Sequence, residues 1–129
     1  MTQAAPAPRL VKLCNASLPE LPAGIERPRY DRAALTPGIV HIGVGNFHRA
    51  HQAWYLHRLM QGGAALDWAI LGAGVRAPDA AMREKLLAQD CLTTLIELAP
   101  DHRSAEVTGS MIDFLPVEPD NAALIAAMA

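Results

Sequence analysis

At 129 residues, 51% hydrophobic and 19% charged, the chain has the length and composition of one globular domain with an ordinary core, not of a disordered segment. A net charge of −2 supplies no basic surplus for nucleic acid or an anionic membrane surface. No apolar run reaches the roughly 18 residues of a membrane span, and Met1 to Arg9 has neither the basic nor the apolar stretch of a signal peptide.

Six prolines precede residue 38 (Pro6, Pro8, Pro19, Pro22, Pro28 and Pro37), so residues 1–38 read as an N-terminal arm lying over a core. Leu10 to Leu13 reads as a short strand or turn. The apolar run Ile39 to Val44, interrupted only by His41 and bounded by glycines, predicts a buried strand. Residues 46–61 predict a helix. Phe47, Ala50 and Trp54 share one face of it, extended by Ala53, Leu56 and Met60, and Gly62-Gly63 ends it.

A second strand is expected within Asp67 to Val75. A second helix follows at 78–89, with Pro78 in its first turn. Cys91 to Leu98 and Glu106 to Phe114 read as two further strands, joined through Pro100 to Ala105 as an antiparallel hairpin added to the sheet. Asn121 to Met128 begins another helix, with Asp120 or Asn121 as its N-cap. The order β-α-β-α-β-β-α predicts an α/β fold: a Rossmann-like, partly parallel sheet flanked by helices. Cys14 and Cys91 match no C-x-x-C spacing and read as buried free thiols, which suits a cytoplasmic protein.

The stretch from Gly43 to Arg49 carries the chemistry. A strand ending in Gly43-Val44-Gly45, followed at once by a helix, sets free backbone N–H groups and a helix N-terminus where a phosphate fits. The third glycine of G-x-G-x-x-G is replaced by His48. Arg49 in the first helical turn opposes the helix dipole at a cost of roughly 0.3–1 kcal/mol, a cost that a bound anion would offset. His48 and His51 stand at i and i+3 but lack a third ligand, so no metal site is expected. Gly72-Ala73-Gly74 reads as a close-packing device or turn at the end of the second strand. An acidic residue after that strand can accept hydrogen bonds from an adenosine ribose. Asp79 follows the strand at the correct end, whereas Asp67 precedes it. Arg76 nearby would meet a 2′-phosphate, which leaves NADP open beside NAD.

Gly43-Val44-Gly45-Asn46-Phe47-His48-Arg49-Ala50-His51-Gln52-Ala53 resembles the signature of the mannitol dehydrogenase family, the long-chain polyol-specific dehydrogenases. Leu66-Asp67-Trp68, Gly72-Ala73-Gly74-Val75-Arg76, Gln89-Asp90 and Thr108-Gly109-Ser110-Met111-Ile112-Asp113 continue the likeness. The resemblance implies a Rossmann-like domain that binds NAD(H), in some members NADP(H), within an enzyme that oxidises a sugar alcohol to a ketose without zinc. It also implies that Gly43, Gly45, Phe47, His48 and Arg49 surround the pyrophosphate, with Val44 and Asn46 also among the cofactor-binding residues, and that Asp79 favours NAD over NADP.

The family's catalytic lysine and its asparagine and histidine helpers belong to a C-terminal domain. Lys12 and Lys85, the lysines of this chain, match none of them. The expectation is therefore a truncated chain: residues 39–129 a partial dinucleotide-binding domain, the catalytic domain absent, no catalytic residue present, and polyol or ketose bound only with the missing domain. The chain alone is expected to be inactive. The competing readings are a nucleotide-binding module without catalysis and a non-functional remnant.

Overall fold

The computed structural model of the chain describes residues 4, 7 and 9–129. Its regular elements are β1 (Ile25–Glu26), β2 (Pro37–Ile42), α1 (Asn46–Ala50), α2 (Gln52–Gln61), β3 (Ala69–Ala73), α3 (Asp79–Leu87), β4 (Thr93–Leu98), β5 (Arg103–Thr108), β6 (Met111–Phe114) and α4 (Ala122–Met128). Short 3-10 turns occupy Asn15–Glu20 and Arg32–Ala34. The strands form two sheets. One has the order β2-β3-β6 and is parallel throughout. The other has the order β1-β5-β4, with β1 parallel and β4 antiparallel to β5.

This is the expected α/β arrangement, with three differences of detail. The run Glu106 to Phe114 is not one strand. It divides at Gly109-Ser110 into β5 and β6, which lie in different sheets. The β4–β5 hairpin therefore belongs to the second sheet instead of extending the parallel one. Its third strand, β1, comes from the proline-rich segment before residue 38, while Leu10 to Leu13 forms no strand.

The helix expected over 46–61 also breaks in two. His51 has φ −121° and ψ −84°, and its N–H reaches both Phe47 O (3.0 Å) and His48 O (3.3 Å). Beyond the break the buried positions are Ala53, Leu56, His57 and Met60, a regular helical stripe. Before it, Phe47 does not continue that stripe and is 70% exposed. The break rotates the short first helix away from the core face.

The core gathers Leu35, Val44, Leu56, Met60, Ile70, Leu86, Met111 and Phe114 from the parallel sheet, the helices α2 and α3 and the adjoining loops. Cys91 lies in it, and burial pushes its thiol up to about 11. Cys14 is only half-buried, with Sγ 3.6 Å from Ser17 Oγ. At α4, Asn121 occupies the cap position with a left-handed backbone (φ 56°), but the side chains that accept the helix-start N–H groups are Asp120 and Glu118.

The joint between the sheets is pinned by polar contacts. Arg32 donates to the carbonyls of Gly109 (3.0 Å), Met111 (2.6 Å) and Asp90 (2.8 Å), and also to Asn15 Oδ1. Ser110 Oγ donates to Ala53 O at 2.7 Å, tying the joint to α2. His57, fully buried, accepts at Nδ1 from the Gly109 N–H (3.3 Å) and lies 2.6 Å from the Tyr30 hydroxyl. That leaves the proton on Nε2, which has no hydrogen-bond partner although Glu106 Oε1 is 3.3 Å away; that oxygen accepts from the Trp54 indole at 2.9 Å.

Burial, with the Arg58 and Arg29 charges added, lowers the His57 pKa to about 4. His48 is lowered to about 4 as well, by burial first and then by His41. The unfolded chain takes up these protons near 6.5, whereas the folded chain resists them until about 4. The stability that neutral His48 and His57 contribute is therefore full above about 6.5 and is lost as the pH drops toward 4. Urea midpoints measured between pH 7 and 4 check this. A midpoint that stays flat across the window would show that neither histidine is held neutral by the fold.

Candidate functional site

The site lies at the C-terminal edge of the parallel sheet. β2 and β3 run in register from Ile39↔Ile70 to Ile42↔Ala73, so Gly43 and Gly74 leave the sheet side by side. Gly43 has φ +92°, a region open to glycine and strained for other residues. Its N–H donates to Ala73 O at 2.8 Å, and its C=O accepts from His41 Nδ1 at 2.9 Å. Val44 is buried in the core, so it can face a ligand only through its backbone. Gly45 is the N-cap of α1, with no side-chain cap bond. The N–H groups of the first turn, Asn46 to His48, have no carbonyl four residues back to bond within the helix. A side chain at Gly43 or at Gly45 would meet nothing within 4 Å, so the space over the turn is open.

The side chains that follow divide into two groups. Asn46 and Phe47 are exposed, and Phe47 stacks on His51 at 4.2 Å. Arg49 folds back over the start of α1, with Nη2 donating to Asn46 Oδ1 (2.8 Å) and Nε near Gly45 O (3.4 Å). Its charge thus sits at the positive end of the helix, and among the described residues no carboxylate pairs with it. His48 is buried, 4% exposed, and stacks on His41 with ring centroids 3.7 Å apart and planes at 23°. Its Nδ1 lies 3.2 Å from Gln52 Oε1, and its buried Nε2 has no partner. His51 Nδ1 is engaged with Phe47 O at 2.7 Å, so the two histidines of the spacing i, i+3 serve different partners.

Asp79 opens α3 at the same edge of the sheet. Its Oδ2 accepts from the Arg76 N–H at 2.9 Å and lies 4.0 Å from Arg76 Nε, while the rest of the Arg76 side chain is exposed. Gly74 permits this position: a Cβ on residue 74 would lie 2.2 Å from Asp79 Cβ. Asp67 precedes β3 and sits at the other end of the sheet.

A cavity of about 260 Å³ opens beside the turn between α1 and β4, lined by Asn46, Arg49, Thr94 and Ile96 among others. A cavity of about 400 Å³ lies against the N-terminal half of β2 and the end of α4, away from the turn. His41 belongs with the site although its sequence signal was faint. The trace was a lone polar residue in an otherwise apolar strand.

Residues 37–129 match the family described as the mannitol dehydrogenase Rossmann domain. The mannitol 2-dehydrogenase of Cereibacter sphaeroides is 67% identical over 104 residues, covering 81% of this chain and 22% of that protein. A polyol:NADP oxidoreductase of Gluconobacter oxydans is 43% identical over 113 residues, covering 84% of this chain and 23% of that one. Among solved structures, the Pseudomonas fluorescens mannitol 2-dehydrogenase ternary complex with NAD and D-mannitol is similar with a TM-score of 0.79 at 45% identity, covering 81% of this chain and 22% of the other. The chain thus spans about a fifth of the length of these relatives.

Proposed function

Because this chain belongs to the mannitol dehydrogenase family, we propose that it is the NAD-binding portion of a polyol dehydrogenase. The observation that carries the reading is the open glycine turn, with Gly43 in a left-handed conformation, α1 starting directly behind it and Asp79 at the same sheet edge. Gly43, Val44 and Gly45 would hold the pyrophosphate of the dinucleotide, with the free N–H groups at the start of α1 donating to it. Asn46, Phe47 and Arg49 border it. Arg49, already held at that helix end, brings the charge the anion needs. His48 supports the turn from inside. The Asp79 carboxylate accepts from the adenosine ribose hydroxyls.

When bound, NAD would supply the hydride acceptor for oxidation of a sugar alcohol's carbinol carbon, as in the parent reaction of a mannitol-type dehydrogenase. The residues of this chain bind and orient the cofactor, and the turn of the polyol requires groups beyond those of this site. These 129 residues by themselves bind NADH without converting mannitol. An NADH titration of the chain followed by Trp fluorescence tests this. Trp54, on α2 just past the turn, is the reporter; Trp68 precedes β3 at the far end of the sheet. No saturable response at millimolar NADH would overturn the reading.

Selectivity between the two nicotinamide dinucleotides rests on Asp79. Its charge repels a 2′-phosphate, so NAD(H) is preferred. Asp79→Asn should weaken NADH binding by roughly tenfold, the worth of a charged hydrogen bond, and leave NADPH binding equal or stronger with Arg76 freed from its partner. Paired titrations with NADH and NADPH check it. An unchanged ratio of the two affinities would remove Asp79 from the ribose site.

A further inference from the structure

We infer that His41 is a positioning residue for the cofactor turn, holding the Gly43 carbonyl with one ring nitrogen and carrying the ring of His48 on its face. The inference rests on the dinucleotide-binding reading given above and assigns a residue outside the glycine signature.

Both polar groups of Gly43 have fixed partners. The N–H belongs to β3 through Ala73 O, at 2.8 Å. The C=O can only accept, so the His41 nitrogen 2.9 Å away, Nδ1, must carry the proton. A glycine at φ +92° has no side chain to restrict it. The two hydrogen bonds therefore fix the peptide planes on either side of Gly43, from which the turn departs. His41 lies two residues back in β2, and the rigidity of the sheet is passed to the turn through its ring.

The second contact is the stack. His41 and His48 lie 3.7 Å apart at 23°, so the buried His48 ring is wedged between β2 and the body of α1. Gln52 from α2 meets its edge at Nδ1, and Arg49 is the cation on its own helix. Burial first, and the His41 ring second, hold His48 neutral. A single side chain thus sets the backbone of the turn and the orientation of the residue at its third signature position.

The two contacts separate by substitution. His41→Asn keeps an N–H donor near the position of Nδ1 and removes the ring. His41→Phe keeps the ring and removes the donor. In the full chain, His41→Phe should weaken NADH binding roughly three- to tenfold, as loss of one ordering hydrogen bond does. It should also speed hydrogen exchange of the Gly43 amide. His41→Asn should restore both to near the parent values, while the NMR titration of the His48 ring moves up from its parent position. Melting temperatures show whether either variant is merely unstable. Loss of affinity in the Asn variant equal to that in Phe, or parent-like Gly43 exchange in Phe, would overturn the inference. So would a His48 titration unmoved in Asn. If the parent chain binds no NADH, the dinucleotide reading fails, and the exchange and His48 titrations still decide whether His41 holds the turn.

Discussion

Arg32→Ala should cost about 3–5 kcal/mol of folding stability, enough to unfold much of the chain where its total lies at the lower end of the usual range of about 5–15 kcal/mol. The guanidinium meets three backbone carbonyls, those of Gly109, Met111 and Asp90, across the point where the chain passes from one sheet to the other. Gly109 and Met111 are buried, so water cannot replace the donors there. Burial already disfavours the Arg32 charge, which shows how tightly it is enclosed. Arg32→Lys should recover only part of the loss, because an ammonium cannot span carbonyls arranged for a planar fork. Urea denaturation of the three proteins measures the effect. A midpoint for Arg32→Ala within about 0.5 kcal/mol of the parent would mean the clamp contributes nothing.

Gly74→Ala should disable the site in a different way. The new methyl would lie 2.2 Å from Asp79 Cβ and 2.6 Å from its Cγ, against a normal carbon contact of about 3.5–4 Å. A rotamer change cannot relieve this, because Cβ is fixed to the backbone of α3. The start of α3 must move, at a cost toward the upper end of the roughly 1–3 kcal/mol of overpacking. NADH affinity should fall at least as far as in Asp79→Asn. The double variant Gly74→Ala with Asp79→Gly removes the colliding atom. It should regain stability without regaining affinity. If Gly74→Ala alone binds NADH like the parent, the placement of Asp79 does not depend on this glycine.

The parts of the fold legible in the sequence were those written in glycine and in periodicity. The strand before Gly43, the helix after Gly45, the position of Asp79 and the close packing at Gly74 all follow from local signals. The switch of sheet at Gly109 was not legible, because Glu106 to Phe114 keeps β-type composition throughout and a single glycine reads as a bulge. Tertiary partners decide it: Arg32 and His57 claim the polar groups of Gly109, and Ser110 Oγ is drawn to Ala53 O. Strand β1 was masked by the prolines around it. The break at His51 has neither proline nor glycine to announce it, and the predicted apolar face therefore carried Phe47 to the wrong side. His41 looked like a flaw in an apolar strand, and only its distances to Gly43 and His48 give it a role.

The interrupted helix has a mechanical meaning. α2 is bolted down: Ser110 holds Ala53 O, Glu106 holds Trp54, and His57 is locked beneath Tyr30. α1 shares none of these bolts and is joined to α2 through the irregular residue His51. The break therefore uncouples the direction of α1 from that of α2. The five residues of α1 and the glycine turn ahead of them take their bearing from β2, through the bond of His41 to Gly43 O and its stack on His48, so the parallel sheet aims the free N–H groups of the turn while α2 answers to the packing between the two sheets.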